Sequence, residues 1–349
     1  GDLVNNIYLS CTLAKAAGGG STIANVGHAL IKTCEVEIGG QRIDKHYSNW
    51  LQIWSELYNH YSDAGATDNA VSETATKYVD TGYSTLVGTT AIAAAKTARL
   101  YVPLRFWFCN NPGLALPLIA LQYHEVKIKM TFETAQNLDG DCNASHASTL
   151  GDARLLVDYI YLDTDERRRF AQVSHEYLIE QIQHEGAVSA TAAGSSASHT
   201  VNYNHPVKYI AWVVNGDTAG ETGQVRPCCF RPLASLHTGI GGAEGTGKLL
   251  LNGNDRFEER KMSYFTRVQP YQHFGVIPPD NRIGVYSFAN NPTEHQPSGT
   301  CNFSRIDSAI WQLKFATTVD DSGTTNDVNA TVDNLLMFAV NYNVLRIMS

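Results

Sequence analysis

Apolar and polar residues alternate through Cys34-Glu35-Val36-Glu37-Ile38, Val126-Lys127-Ile128-Lys129-Met130-Thr131-Phe132 and Trp311-Gln312-Leu313-Lys314-Phe315. A period of two places one face of each segment in a core and the other in water, the pattern of antiparallel sheets packed as sandwiches. Arg154-Leu155-Leu156-Val157-Asp158-Tyr159-Ile160-Tyr161 and Tyr209-Ile210-Ala211-Trp212-Val213-Val214 are more fully apolar and predict central strands. Clusters of Gly, Asn, Asp, Ser and Thr punctuate these runs, as turns between short strands do. Helix is scarce. Residues 47–61 carry Trp50, Trp54, Leu57, Tyr58 and Tyr61 on one helical face. The charged stretch 163–171 predicts a second short helix, in which Arg167-Arg168-Arg169 is neutralised by Asp163, Asp165 and Glu166. The fold class is all-β.

The chain repeats itself. Gly39-Gly40-Gln41-Arg42-Ile43-Asp44 matches Gly253-Asn254-Asp255-Arg256-Phe257-Glu258 at an offset of 214 residues. Phe108-Cys109-Asn110-Asn111-Pro112 matches Phe288-Ala289-Asn290-Asn291-Pro292 at an offset of 180, and Pro117 and Pro297 keep that spacing. Two motif pairs in the same order predict two copies of one β domain. The first copy holds 34 more residues between its motifs, and the excess falls on the low-complexity stretch 64–98. Further low-complexity stretches at 16–21, 139–151, 186–198, 215–223 and 238–247 read as long surface loops. Asn-Asn-Pro is turn chemistry, since Asn tolerates positive φ and Pro fixes the exit. The Gly and Arg of the other motif predict a tight turn and a buried or inter-domain ion pair with the acid that follows. The expected structural residues are therefore Gly39, Arg42, Asp44, Asn110, Asn111 and Pro112, with Gly253, Arg256, Glu258, Asn290, Asn291 and Pro292 as their counterparts.

Composition narrows the function. The 349 residues contain 26 Lys and Arg against 34 Asp and Glu, a net charge of −8. A nucleic-acid binder needs a basic face to displace counterions, so that class is disfavoured. No apolar run reaches the roughly 20 residues that span a bilayer. The seven cysteines, Cys11, Cys34, Cys109, Cys142, Cys228, Cys229 and Cys301, are odd in number and contain no CxxC pair. Scattered thiols suit folding in a reducing compartment.

Motifs of catalysis are incomplete. Gly242-Ala243-Glu244-Gly245-Thr246-Gly247-Lys248 begins like a phosphate-binding loop, but Leu249 stands where Ser or Thr would hold Mg²⁺, and a strand follows instead of a helix. His175-Glu176 and His184-Glu185 flank a strand-like run, which would hold the two imidazoles roughly 30 Å apart, too far to share an ion. No catalytic, cofactor-binding or metal residues are assigned. Asn143, Asn302 and Asn329 each open an Asn-X-Ser/Thr sequon and are candidate glycosylation sites, with Asn302, next to Phe303, the least favoured.

Several of these segments resemble the major capsid proteins of large nucleocytoplasmic DNA viruses, the algal-virus branch above all. The resemblance is carried by Gly39-Gly40-Gln41-Arg42-Ile43-Asp44-Lys45-His46-Tyr47, by the run from Pro112 to Val126, and by His175-Glu176-Tyr177-Leu178-Ile179-Glu180-Gln181. The run from Gln296 to Asp307 and the closing Asn341-Tyr342-Asn343-Val344-Leu345-Arg346-Ile347-Met348-Ser349 continue it, so that it breaks only in the low-complexity loops. It implies a double jelly roll of two eight-stranded antiparallel sandwiches, with residues 1–165 as the first, 166–174 as a charged linker and 175–349 as the second. The first strand of the first sandwich is expected upstream of residue 1, and a Gly-rich tail beyond Ser349. The implied function is structural and non-enzymatic, without cofactor. Homotrimers of pseudo-hexagonal outline, six similar jelly rolls each, would tile an icosahedral shell. Expected partners are copies of the chain, neighbouring capsomers, and minor capsid and penton proteins, with no direct nucleic acid and at most indirect contact with an internal membrane. The expected location is the virion, after assembly in host cytoplasm. The alternatives are a two-domain, bicupin-like metal enzyme and a lectin-like receptor-binding protein.

Overall fold

The structure is a computed structural model that describes residues 1–349 apart from 18–19, 59–82, 89–90, 141–147, 190–194, 217–226, 232, 234–244, 279–280, 316–333 and 348–349. The first half contributes β1 (Leu3–Lys15), β2 (Ile31–Ile38), β3 (Gln41–Tyr47), β4 (Thr97–Pro103), β5 (Leu116–Pro117), β6 (Val126–Phe132) and β7 (Ser148–Ile160). Between them lie α1 (Val26–Leu30), α2 (Ser48–Tyr58), α3 (Tyr83–Val87) and α4 (Trp107–Asn110). Helix α5 (Thr164–Gln172) then leads into the second half. Its strands are β8 (His175–Gln183), β9 (Val188–Ser189), β10 (Ser196–Thr200), β11 (Pro206–Asn215), β12 (Phe230–Arg231), β13 (Thr246–Leu251), β14 (Asn254–Asp255) and β15 (Arg260–Lys261). A π turn (Tyr264–Val268), α6 (Gln269–Phe274), β16 (Gly284–Ser287), β17 (Cys301–Asn302), β18 (Ala309–Lys314) and β19 (Asn334–Ile347) complete it.

Each half is an antiparallel sandwich. In the first, β7 and β4 flank β1, and the sheet β3-β2-β6 lies opposite. In the second, β16-β11-β19-β8 faces β10-β18-β13-β14. The two halves correspond in strand order and pairing: β7, β1 and β4 answer to β19, β11 and β16, while β6 and β2 answer to β18 and β13. Strands β8 and β10 have no counterpart among the described residues of the first half. Two such sandwiches in tandem make a double jelly roll.

Period two accounts for the first core. Ile7, Leu9, Cys11 and Leu13 of β1 all point inward and are at most 4% exposed. The second core centres on the Trp212 and Trp311 rings, 4.7 Å apart. Here β16 comes so close that a Cβ on Gly284 would lie 2.3 Å from the Trp212 ring, a position only glycine fills.

The two fully apolar segments have different fates. β11 is central and buried on both faces, because Val207, Ile210, Trp212 and Val214 meet the second core while Tyr209, Ala211 and Val213 meet a separate cluster outside the sheet. Residues 154–161, expected to be central as well, pair only with β1 among the described residues and expose Leu155 (41%), Leu156 (46%) and Tyr159 (46%). Apolarity alone does not separate a strand covered on both faces from one left partly exposed.

Candidate functional site: the junction between the jelly rolls

The repeat motifs converge on the seam between the halves, and α2 is its centre. Trp50, Ile53 and Leu57 recur at helical spacing and are at most 2% exposed. They pack not on their own sandwich but on the outer face of the second one, against Tyr209, Ala211 and Val213 of β11 and Leu336, Phe338 and Val340 of β19. The Trp50 ring lies 5.7 Å from Phe338 and 6.4 Å from Tyr209. The Tyr58 hydroxyl is 3.1 Å from that of Tyr209 and donates to the Pro292 carbonyl at 3.3 Å. Leu51, on the opposite side of α2, belongs to the first core. One short helix thus ties the first core to the outer face of the second sandwich.

Polar contacts fix the same seam. The Asp44 carboxylate, 1% exposed, accepts from His46 Nε2 at 2.9 Å, from its neighbour's Lys45 N–H at 2.9 Å and from the Ile182 N–H of β8 at 3.1 Å. Gln181 Nε2 donates to the Ile43 carbonyl at 2.5 Å. Lys208, almost fully buried, pairs with Glu180 at 2.6 Å, and its ammonium lies 5.1 Å from the centre of the Tyr342 ring. The Arg105 guanidinium stacks on Trp54 at 3.9 Å. At the chain start, Asp2 accepts from the Leu162 N–H and pairs with Arg167 of α5; the Leu162 bond, followed by Arg167, holds its carboxyl below the usual range. A cleft of about 480 Å³ remains in the seam, lined among others by Trp54, Arg105, Asn110, Asn111, Glu180 and His295.

The predicted motif residues divide accordingly. Asn110, Asn111 and Pro112 line the cleft, and Asn111 Oδ1 accepts from the Gly113 N–H at 2.9 Å to cap a short 3-10 turn. Pro292 reaches it through Tyr58, Asn290 accepts at its carbonyl from His273, and the Asn291 N–H donates to Ser298 Oγ. Gly39 (φ +58°) and Gly253 (φ +77°) do occupy left-handed turns. The expected arginine–acid ion pairs are absent. A bulge opposite Val36 and Glu37 sets Arg42 across from Glu37 and leaves it exposed, while Asp44 turns to His46 and β8. Arg256 and Glu258 are both exposed and unpaired with one another. Asp44 does serve the inter-domain contact, through the Ile182 backbone. Lys208 and Glu180 escaped the sequence reading, although a lone lysine in the apolar run 206–215 was the available signal.

Asn302 is exposed and caps the next turn by accepting from the Ser304 N–H at 3.1 Å. Asn143 and Asn329 lie outside the described residues, as does Cys142. The described cysteines are unbridged. Burial pushes the Cys11 thiol up to about 11 and those of Cys34 and Cys109 up to about 12, so none of these three is a ready nucleophile.

Beside the seam, His28 is 1% exposed, with Nδ1 at 2.8 Å from Gln52 Oε1 of α2 and Nε2 at 2.8 Å from the Tyr83 hydroxyl. Burial lowers its pKa from 6.5 to about 4. The unfolded chain takes up this proton near pH 6.5 and the folded chain only near pH 4, so the stability is whole above 6.5 and drains away as pH falls to 4. The loss is about 3 kcal/mol. Denaturant midpoints of the wild type should fall over this window, and His28→Gln should flatten the fall; an unchanged slope in the variant refutes the assignment.

Comparison with known proteins converges with this geometry. Residues 1–163 match the family described as "Major capsid protein N-terminus", and residues 166–349 match "Large eukaryotic DNA virus major capsid protein". The major capsid protein of Pyramimonas orientalis virus is 44% identical over 380 residues, covering 100% of this chain and 82% of that protein. A crystal structure of VP54 of Paramecium bursaria Chlorella virus 1 superposes with a TM-score of 0.78 at 36% identity, covering 100% of this chain and 88% of that one. The capsid of the same virus gives 0.74 at 35% identity, with the same coverage. The alternatives of a metal enzyme and a lectin-like protein find no support among these relatives. The chain belongs to the major capsid protein family of large eukaryotic DNA viruses.

Proposed function

We propose that this chain is the tile of an icosahedral shell, in which three copies form a capsomer of pseudo-hexagonal outline and capsomers meet edge to edge. The observation that carries the reading is the double sandwich itself: two like units per chain present six around a three-fold axis, so that one gene product can meet six neighbours. Contacts that are weak singly then become collectively strong around each tile. The subunit works by assembly and not by catalysis. Assembly in host cytoplasm and contact with minor capsid and penton proteins complete the proposal, with residues 1–165 and 175–349 as the two rolls and 166–174 as the link. Light scattering on the purified chain should give three times its 38.2 kDa, with a hexagonal outline in negative stain. A monomer or dimer without that outline would sink the reading.

A further inference from the structure

The helical segment of the second half that corresponds to α2 is the π turn followed by α6: each lies between the strand hairpin of its Gly-Arg motif and the strand flanking β1 or β11. The offset of 214 residues found in that motif maps Leu51 onto Phe265, and both are core residues of their own sandwich, 1% and 0% exposed. It also maps Trp54 and Leu57 onto Val268 and Tyr271. Here the two halves part. Leu57 is fully buried against the second sandwich, whereas Val268 is 47% and Tyr271 68% exposed, with Ile277 beside them at 51%. The helix of the first half has a neighbouring sandwich to cover it; the equivalent face of the second half, where Arg267 stands in the place of Ile53, has none among the described residues.

The surface that would match it is also present. α2 rests on the outer face of β11 and β19, where Tyr209 stands level with Val340. On β1 the residues Ile7 and Leu9 point into the core, so Tyr8 points out, level with Leu156 of β7, which is 46% exposed. Among the described residues, no counterpart of α2 covers this outer face.

We propose that the π turn and α6 of one copy pack, through Val268 and Tyr271, on the outer face of β1 and β7 of the next copy, repeating between chains the contact α2 makes within one. The inference rests on the trimeric reading above and supplies its interface. It also explains closure. The contact is heterologous, helix on sheet, and such contacts form a ring only if successive rotations add to a full turn. With the junction inside a chain and the junction between chains built alike, six equal steps close on three copies. The surface left by this assignment is more polar than its intramolecular twin, with Ser10 and Arg154 where β11 and β19 have Ala211 and Phe338, as expected of a face that must stay soluble until copies meet.

The test compares the wild-type chain with Val268→Glu/Tyr271→Glu by light scattering, with circular dichroism as the check on folding. Charging this patch should weaken assembly by about a hundredfold or more, leaving a folded monomer at concentrations where the wild type is trimeric. A folded variant that remains trimeric beside a trimeric wild type overturns this interface and leaves the capsomer standing. A monomeric wild type overturns the trimeric reading, and the interface with it. A second experiment covers the case in which the double variant does not fold. Tyr271→Cys together with Leu156→Cys, treated with a short bis-maleimide, should yield chains linked in twos and threes on a denaturing gel. Each single substitution sets the background from Cys228, Cys229 and Cys301, which are partly exposed. Linkage no greater than that background in a trimeric sample refutes the proposal.

Discussion

Trp50→Ala is expected to uncouple the two jelly rolls, turning one thermal transition into two and lowering the first by on the order of 5–10 °C. The indole is 2% exposed and touches residues of the second sandwich, Tyr209 and Phe338, from a helix that belongs by sequence to the first. Truncating a buried Trp typically costs about 3–5 kcal/mol, through lost transfer energy and the cavity left behind. At most other core positions that cost would fall on one domain. Here it falls on the contact between domains, because an indole carried by the first half packs on residues of the second. Leu51 keeps α2 attached to its own core, so the fold of each half should survive. Calorimetry at one fixed protein concentration would read this, since assembly makes the melting temperature depend on concentration. A single transition within a degree of the wild type would show that α2 does not carry the coupling.

The strands were legible wherever alternation was strict. The segments 34–38 and 126–132 fall in β2 and β6, 311–315 falls in β18 up to Lys314, and the amphipathic stretch 47–61 folds as α2 over Ser48–Tyr58, with Tyr61 outside the described residues. The aromatic face of that helix was visible in sequence; its destination was not. Period and composition report that a face is buried, never against what, and Trp50 buries itself on strands more than 150 residues further along. The same blindness made residues 154–161 look central. The repeat revealed turns correctly, because left-handed backbone at Gly39 and Gly253 leaves a local signature. It misassigned the ion pair, because the bulge in the β2–β3 hairpin shifts which residues stand opposite, and a bulge has no signal in a single sequence. Resemblance to capsid proteins supplied what physical patterning could not, the use of the fold.

Glu180→Leu should destabilise the chain more than any surface substitution, by about 3–5 kcal/mol at neutral pH, because it strands a buried ammonium. The Lys208 side chain is 1% exposed, and Glu180 is its carboxylate partner at 2.6 Å. Burial already holds the Lys208 pKa below its ordinary 10.5, and Glu180 pulls it back up. Removing the carboxylate therefore favours the neutral amine, and raising the pH relieves the penalty: the variant should lose less stability at pH 9 than at pH 7. Lys208→Met is the milder change, since Glu180 is 22% exposed and can turn to water. Combined, Lys208→Met/Glu180→Leu should recover most of the loss, because an apolar pair of similar volume needs no desolvation of charge. Urea midpoints for the four proteins at the two pH values close the cycle. Additive losses in the double variant would mean that the pair is not coupled. Recovery would show that the charge is dispensable to stability, leaving the placement of β8 relative to β11, on the far side of β19, as its remaining use, since Ile182, two residues from Glu180, is where the backbone meets Asp44 across the seam.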